Sequence, residues 1–360
     1  MFWTRLISLQ FILFCVDIGT RFVQCFYVLK AVMLKKTSFF SSDVDVLEDL
    51  AKRKLCFEYV ASVNNATGGL TLAYKALQRD INTVLINPLV IPSNYTGALE
   101  CGLTVKAAKI DPKTLNFDLE AIDFNQIDLI CVTHYFGYTC DMRRLEELCH
   151  QHKVKLIEDC SHCHGGEFNG RPLGSFGDIA VFSLQGSKFI SGGEGGLVCC
   201  KNEATFKKIC KLAYQDKWVK RYERQSAKIA NESYDFGLKY RIHPLAAALA
   251  RVDLITLNFR NKIINEILLL LKVKRPYLFL KEQQGLKLGG FCNGFVLVRN
   301  FENLRGTYTR DYIPYLESLE IKITENEKDN LQVVQQNLTY TNSSYFTNPL
   351  LIFLLLQKTQ

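Results

Sequence analysis

The sequence has no internal repeat, no low-complexity tract and little excess charge, and each absence excludes a class of protein. Without a repeat period, a solenoid or a propeller is not expected. The 360 residues carry a net charge of +8, and 48% of them are hydrophobic. A disordered chain would instead combine low hydrophobicity with high net charge, and a nucleic-acid-binding domain would be strongly basic. We therefore expect a folded protein that does not bind nucleic acid and is long enough to bury a large core.

Long uncharged apolar runs are also missing. The longest near the N-terminus, 6–16, has about the length of a signal-peptide core, whereas a membrane span needs about 20 apolar residues. The C-terminal run, 350–356, is shorter still. We interpret the N-terminal segment as an apolar extension or a mispredicted start. A signal or membrane anchor and a core helix stay open as alternatives, and membrane association is not the favoured reading.

Half of the net charge lies at the N-terminus, and the cysteine content indicates the compartment. The first 36 residues hold five basic residues against the single acid Asp17, so they supply +4, half of the net charge. The 13 cysteines are an odd number and lie in apolar runs, for example Cys131 and Cys149. This usage is typical of buried, reduced thiols rather than of a disulfide framework. We therefore expect a cytoplasmic protein.

The middle of the sequence alternates between strand and helix patterns. Six short β-rich runs are predicted as strands: 83–86, 104–108, 129–132, 154–158, 179–183 and 196–200. Helical spacing of apolar residues follows at 141–152, 202–215 and 243–272. This alternation predicts an α/β fold with a mostly parallel sheet between helices.

Three segments follow from this pattern. We predict an apolar extension at 1–45, a large α/β domain at 46–255, and a smaller α+β domain at 256–360 that is divergent or incomplete. Within the last segment we expect a strand at 294–298 and a helix at 311–319.

Polar residues cluster just past the predicted strand 154–158. Asp159, His162 and His164 lie there, directly after Glu158, where open parallel sheets gather their ligand groups. Lys188 follows Asp159 by 29 residues, after another strand and before a glycine-rich run. Upstream, the small-residue loop 64–69 opens a helix, and the free N–H groups there can bind a phosphate. An acid, a lysine and a phosphate loop are what pyridoxal phosphate requires.

The same region contains four potential metal ligands, Cys160, His162, Cys163 and His164. Their spacing does not match that of the common zinc sites. We therefore predict no metal.

In this order the motifs resemble the DegT/StrS family of sugar aminotransferases. The resemblance covers roughly residues 55–255 and rests on eight stretches: 64–72, 110–116, 134–137, 158–165, 174–178, 182–188, 193–196 and 240–244. It implies the aspartate-aminotransferase-like scaffold, fold type I of the enzymes that depend on pyridoxal phosphate.

The resemblance also implies roles for individual residues. Lys188 would form the Schiff base with pyridoxal phosphate and shuttle a proton during transamination. Asp159 would keep the pyridine nitrogen protonated. His162 stands where the family usually has a residue that contacts the ring or its 3′-oxygen.

The phosphate ligands implied by the resemblance are Thr67, the Gly68 N–H and Ser183. Two departures from the family pattern occur nearby. Asn65 and Ala66 replace the usual serine and glycine. Lys239 replaces the asparagine with which many members reach the phosphate of the neighbouring subunit, an arrangement that implies a homodimer.

The function that we expect is transfer of an amino group from an amino acid such as glutamate to a keto sugar that is linked to a nucleotide. Two alternatives stay open. One is a catalytically silent binding or regulatory protein on the same scaffold. The other is a sugar dehydratase that uses the same cofactor. In such dehydratases histidine replaces the cofactor-binding lysine, so the presence of Lys188 argues against this alternative.

Overall fold

The fold is an α/β sandwich around one large sheet. The computed structural model describes residues 2–37, 41–78, 81–91, 93–111, 113–214, 237–274, 283–289, 296–298 and 338–340. The strands among them, in chain order, are β1 (Tyr59–Val63), β2 (Thr83–Ile86), β3 (Thr104–Ala107), β4 (Ile110–Asp111), β5 (Asn116–Phe117), β6 (Leu129–Thr133), β7 (Lys155–Asp159), β8 (Glu167–Phe168), β9 (Arg171–Pro172), β10 (Ile179–Ser183), β11 (Gly196–Cys200), β12 (Leu286–Lys287), β13 (Val296–Val298) and β14 (Leu338–Tyr340).

The large sheet has seven strands in the order β1-β11-β10-β7-β6-β2-β3. Strands β10, β7, β6, β2 and β3 run parallel to one another. Strand β11 runs antiparallel to both of its neighbours, β10 and β1. The prediction of a mostly parallel sheet is therefore confirmed, and β7 lies at its centre.

The helices cover both faces of this sheet. In chain order they are α1 (Phe2–Met33), α2 (Ser42–Leu55), α3 (Ala66–Leu77), α4 (Ser93–Glu100), α5 (Met142–His152), α6 (Glu203–Tyr214) and α7 (Pro244–Lys274). Side-chain caps fix several helix starts. In α5, for example, Asp141 accepts the backbone N–H groups of Arg143 and Arg144, as an N-cap acid does.

Two apolar layers fill the space between sheet and helices, because successive strand residues point to opposite faces. On β10, Ile179 and Val181 join the layer under α3, α4 and α6. Ala180 and Phe182 join the layer under α2, α5 and α7. Both layers consist of buried side chains with partly buried apolar residues packed against them, so apolar packing covers the sheet on both faces.

The N-terminal extension forms one long helix, α1, that runs antiparallel along α7. Leu6 and Leu13 pack against Ile263 and Ile267. Farther along, Gln24 Nε2 donates to the Leu249 carbonyl at 3.2 Å. By length and composition α1 could cross a bilayer.

The cysteines in the described part of the chain are free thiols. Three of them are exposed and nine are buried. Burial raises the pKa of Cys131, Cys149 and Cys200 to about 12. Buried thiols of this kind are unreactive.

Several elements differ from the sequence predictions. Strand β1 and helices α2 and α4 were not predicted. Strand β1 and helix α4 are short, with 5 and 8 residues, whereas α2 buries Val44, Leu47, Ala51 and Leu55, a helical spacing that is visible in the sequence. The predicted strand at 294–298 is β13, whereas the predicted helix at 311–319 and the run 350–356 lie outside the described residues. The domain limits stay predictions, and α7 passes through the one placed at 255.

We expect Gly69→Ala to destabilise the fold, because α3 approaches the sheet most closely there. A Cβ at this position would lie 2.9 Å from Val181 Cγ1 and 3.1 Å from Val198 Cγ2. Overpacking costs about 1–3 kcal/mol, which exceeds the gain of about 1 kcal/mol in helix propensity. Urea unfolding should show a net loss of free energy of unfolding.

Gly19→Ala is the matched control. Gly19 lies in helix α1, and nothing lies within 4 Å of its added Cβ. The same replacement should therefore stabilise by up to about 1 kcal/mol. Equal effects at both sites would contradict the close approach of α3.

Candidate active site

The predicted site residues gather at one edge of the large sheet. Asp159 ends β7 and Ser183 ends β10, its parallel neighbour. The loop before α3 follows the end of β1, which runs in the same direction as β10. The carboxyl ends of these strands therefore meet, as expected for a ligand site in an open α/β sheet.

Asp159 is an anchored, buried carboxylate, only 3% exposed. Its Oδ2 accepts Asn94 Nδ2 at 3.0 Å and the Thr133 hydroxyl at 3.5 Å. Its Oδ1 accepts the Ser161 backbone N–H at 3.0 Å. These three donors fix the position of the carboxylate at the strand end.

Asn94 is a site residue that sequence reasoning missed. It lies at the start of α4, is fully buried, and donates to Thr133 Oγ1 as well as to Asp159. Its backbone carbonyl accepts the Tyr74 hydroxyl at 3.3 Å. Asn94 and Asp159 are 65 residues apart in sequence, and no local pattern signals that they meet.

Lys188 lies beyond β10 within reach of the Asp159 charge. Burial lowers the pKa of Lys188 to about 8, and the negative charge of Asp159 opposes that fall. At pH 7 about a tenth of this amine is therefore neutral, and that fraction rises with pH. A neutral amine can attack a carbonyl carbon or accept a proton.

The glycine-rich run after Lys188 is tied to the core by hydrogen bonds. The Gly192 N–H donates to the Leu184 carbonyl at 2.8 Å, and the Leu184 N–H donates to the Gly195 carbonyl at 2.9 Å. The Ser191 N–H donates to Asp253 Oδ2 at 2.8 Å. These bonds fix the loop that positions the lysine.

His162 stacks on an aromatic pair and is neutral. Its ring stacks on Tyr135, with centroids 5.6 Å apart, and lies against Phe136 at 5.5 Å. Its Nδ1 accepts the Phe136 N–H at 3.3 Å, so Nε2 carries the proton of the neutral ring. Burial and the positive charge of Lys188 lower the pKa of His162 well below its usual range.

The predicted phosphate loop is closed by Asn65. Asn65 has an extended backbone and caps α3, because its Oδ1 accepts the Gly68 N–H at 2.7 Å. The turn that serine and glycine make in the family is thus made by an asparagine, one of the best N-cap residues. In this structure the Gly68 N–H is paired inside the loop, and Thr67 is exposed beside it.

Lys239 lies beside this loop. The Asn64 N–H donates to the Tyr240 carbonyl at 3.2 Å, and Arg241 bridges to Val63 at the end of β1. Lys239 itself is exposed and has a left-handed backbone, with φ of 54°. The structure therefore places an exposed cation next to the N-terminus of α3.

Ser183 and His164 are linked at the end of β10. His164 Nε2 donates to the Ser183 carbonyl at 2.8 Å, and Ser183 Oγ accepts the Gln185 N–H at 3.3 Å. Ser183 thus has its hydroxyl at the end of β10. In sequence it lies between Asp159 and Lys188, the two other predicted site residues.

Glu158, next to Asp159, is fully buried and holds the opposite side of the strand. Its Oε2 accepts His134 Nε2 at 2.9 Å and the Gly174 N–H at 2.7 Å. Its Oε1 accepts the Gly177 N–H. Glu158 therefore has a structural role that the sequence did not reveal.

His134 also belongs to a group of possible metal ligands with Cys160 and Cys163. Both of its ring nitrogens are already bonded, Nδ1 to Thr139 Oγ1 at 2.9 Å and Nε2 to Glu158. A metal at this group would have to break that network, so we assign none there.

The donor set suits pyridoxal phosphate. The site offers an anchored carboxylate for a ring nitrogen, an amine with a lowered pKa, and a strand-end hydroxyl near a helix N-terminus. Gly196 lets strand β11 pack directly against the loop before α3, because a Cβ there would lie 2.8 Å from the Asn65 backbone. The residues present therefore fit the group that the sequence implies.

Comparisons with known proteins agree with this geometry. The chain is 30% identical over 178 residues to a GDP-perosamine synthase from Vibrio cholerae, covering 48% of each chain. It is 31% identical over 212 residues to a UDP-4-amino-4,6-dideoxy-N-acetyl-beta-L-altrosamine transaminase from Campylobacter jejuni, covering 57% of this chain and 54% of the relative. The chain thus spans about half the length of the curated relatives it matches.

The fold is shared with solved structures across most of the chain. The crystal structure of a 3-amino-5-hydroxybenzoic acid synthase superposes with a TM-score of 0.77 at 16% identity, covering 91% of this chain and 92% of that one. The model of the DegT/DnrJ/EryC1/StrS aminotransferase family matches residues 28–274. The chain therefore belongs to the DegT/DnrJ/EryC1/StrS aminotransferase family, and the resemblance seen in its sequence is confirmed.

Proposed function

We propose that this chain is an aminotransferase that uses pyridoxal phosphate to move an amino group from an amino acid to a keto sugar. The observation that carries the proposal is the buried amine of Lys188, whose pKa burial lowers to about 8, together with the anchored carboxylate of Asp159. We propose glutamate as the donor and a nucleotide-linked sugar as the acceptor. The names of the two relatives, one with a GDP-linked and one with a UDP-linked sugar, support that acceptor class.

Each site residue would have a defined task. When bound, pyridoxal phosphate supplies an electron sink next to the reacting carbon. Asp159 would hold the proton on the ring nitrogen. Lys188 would bind the cofactor through Nζ and, once released, would take the proton from the substrate carbon and return it. His162 would orient the ring through its Nε2–H.

The phosphate would lie at the N-terminus of α3. Thr67 and Ser183 would donate their hydroxyls to it, and the helix dipole favours an anion there. The Gly68 N–H would join them when the Asn65 side chain turns away. Lys239, which is exposed beside this loop, would add a positive charge.

We also propose a homodimer in the cytoplasm. The exposed position of Lys239 at the rim of the site supports a role toward a phosphate of the partner subunit. The nine buried, free cysteines support a reducing compartment. Light scattering of the purified protein would measure the oligomeric state.

The two alternatives from the sequence fare differently. A dehydratase is not favoured, because Lys188 occupies the position where such enzymes replace lysine and because the relatives are aminotransferases. A silent binding protein has one observation in its favour, the pairing of the Gly68 N–H with Asn65 inside the phosphate loop. Turnover separates this candidate from the enzyme.

A half-transamination assay tests the proposed function. Protein loaded with pyridoxal phosphate should lose its visible absorbance with glutamate and recover it with a nucleotide-linked keto sugar. Lys188→Ala should slow the first step by about 10²–10⁴-fold, the usual contribution of a positioned base. The control Lys106→Ala removes a lysine whose amine only bonds Gln126 and should leave the rate unchanged. Cofactor that stays bound without any turnover across a panel of donors and sugars would identify the silent protein instead.

The pH dependence of Lys188 reactivity follows from its surroundings. Only the neutral amine reacts with an acetylating reagent, so labelling of Lys188 in the cofactor-free protein should rise with pH around a midpoint of about 8. Because the negative charge of Asp159 opposes the fall in pKa, Asp159→Asn should move this midpoint lower. Mass spectrometry of the Lys188 peptide measures both, with Lys106 as the internal reference. A midpoint near 10.5, or one that rises in Asp159→Asn, would contradict this account.

Asn94→Leu should weaken cofactor binding, because it removes the donor that fixes Asp159 Oδ2. A hydrogen bond to a charged group contributes about 1.5–3 kcal/mol, so the dissociation constant should rise about 10- to 100-fold. Fluorescence titration of the cofactor-free protein measures it. Thr133→Val, which removes the longer contact at 3.5 Å, should have a smaller effect. Unchanged binding in Asn94→Leu would show that Asp159 does not need this donor.

A further inference from the structure

The helix α1 turns its more apolar side away from the protein. Half of the residues that it buries against α7 are polar, namely Gln10, Thr20 and Gln24. In a soluble protein the buried stripe of a surface helix is normally its apolar one. The polarity of α1 is thus reversed, and this reversal is typical of a helix whose outer side meets an apolar environment.

The outward side is a continuous apolar face. It comprises residues three or four apart, all exposed: Ile7, Phe11, Phe14, Ile18, Phe22, Phe26 and Leu29. We call this set the outer face of α1. It is about 33 Å long at 1.5 Å per residue. Phe22 is 74% exposed and Phe11 63% exposed, so these large rings stand in water in the isolated chain.

Cations border this face. Among the described residues of α1 the charged ones are Arg5, Asp17, Arg21 and Lys30, and the helical spacing places each of them off the outer face. The one acid, Asp17, pairs with Arg260 of α7 at 3.4 Å. Lys35 and Lys36 follow the helix and are exposed. Arg5 is paired with Glu266 of α7 at 3.3 Å, so the positive charge of the border is concentrated beside the C-terminal end of α1, at Lys30, Lys35 and Lys36.

We propose that the outer face of α1 binds the surface of an anionic membrane. The apolar area that a helix buries in the lipid interface, together with the attraction of nearby basic residues to anionic lipids, determines how strongly it binds there. This inference is separate from the proposed enzymatic function and revises the expectation from the sequence that membrane association is not favoured.

A second copy of the chain fits this face less well. Parallel pairing of the face with itself would bring Lys30, Lys35 and Lys36 toward the same cations of the other copy. The exposed part of α1 offers no carboxylate to neutralise them, because Asp17 is engaged by Arg260. Anionic lipid head groups supply that neutralisation.

The helix would lie flat rather than span the bilayer. It is held along α7 by the packing of Leu6 and Leu13, by the Gln24 bond to Leu249, and by the ion pairs of Arg5 and Asp17. A spanning helix would have to give up all of these contacts. The attached domain therefore keeps α1 parallel to the surface that it binds.

Vesicle sedimentation with the full chain tests the proposal. The protein should bind vesicles of phosphatidylcholine with phosphatidylserine, bind vesicles of phosphatidylcholine alone more weakly, and lose binding as salt is raised. Replacing Phe11, Phe22 and Phe26 by serine should lower the affinity by at least about 100-fold, since burying one such ring contributes about tenfold or more. Thermal unfolding should change little, because these rings are exposed.

Matched controls lie on the opposite layer of the fold. Leu99→Ser removes an exposed apolar residue of α4 and should not affect sedimentation. Lys30→Glu should weaken binding to the anionic vesicles, whereas Lys211→Glu on α6 should not.

Three results would overturn the proposal. The first is no binding to either vesicle. The second is a triple phenylalanine variant that lowers the oligomeric state in light scattering while the parent protein ignores vesicles, which would assign the face to a second copy. The third is bound protein that resists extraction with alkaline carbonate, which would show that α1 spans the bilayer.

Discussion

The structure depends on two neighbouring carboxylates buried at the end of the central strand. Glu158 and Asp159 end β7 and are 0% and 3% exposed. Successive side chains of a strand point to opposite faces, so the two acids face different layers of the sandwich. A buried charge is tolerated only when it is paired or hydrogen-bonded. Each acid therefore requires hydrogen-bond donors around it.

The hydrogen bonds that these two buried carboxylates accept explain much of the surrounding loop structure. Glu158 collects the N–H groups of Gly174 and Gly177 and the ring of His134, and so fixes the segment between β9 and β10. Asp159 collects Asn94, Thr133 and Ser161 on the other side. Removing one partner of a buried charge costs about 3–5 kcal/mol, so both shells are strongly constrained. One strand end thus organises the scaffold and the site together.

The sequence predicted those parts of the fold that local chemistry determines. The strands 83–86, 179–183 and 196–200 occur with the predicted limits, since each is a short apolar run between turn residues. Asp159 and Lys188 were found from their order along the chain and from the family resemblance. Their placement at adjacent strand ends agrees with that expectation, although their chemical roles stay predictions.

Sequence reasoning missed features that depend on tertiary contacts. The bond from Asn94 to Asp159 joins α4 to β7 across 65 residues of sequence. Asparagine is a preferred N-cap residue, so the residue type of Asn65 is compatible with the cap that it forms. The comparison with the family pattern marks Asn65 only as a departure and does not predict this cap. The reversed polarity of α1 becomes visible only once its contact with α7 shows which side is buried.

One arginine of α7 contacts both helix α1 and the loop that carries Lys188. Arg260 of α7 pairs with Asp17 of α1, and its Nη1 also donates to the carbonyl of Phe189, the residue after Lys188, at 2.9 Å. Its guanidinium lies over the Phe189 ring, 4.1 Å from the centroid. Burial raises the pKa of Asp17, while Arg260 opposes that rise, so the ion pair is held in a partly dehydrated setting.

These contacts connect α1 to the loop that carries Lys188. Most of α1 lies before the residues that the family model matches, 28–274. Arg260, which pairs with this helix, also bonds the backbone next to Lys188. Arg260 also donates to Asp253, whose other carboxylate oxygen accepts the Ser191 N–H, so the loop is held at two points from α7. Any force on α1 that moves Asp17 therefore acts on Arg260 first and on the loop of Lys188 next. The outer face of α1 and the amine of Lys188 are opposite ends of one short chain of contacts.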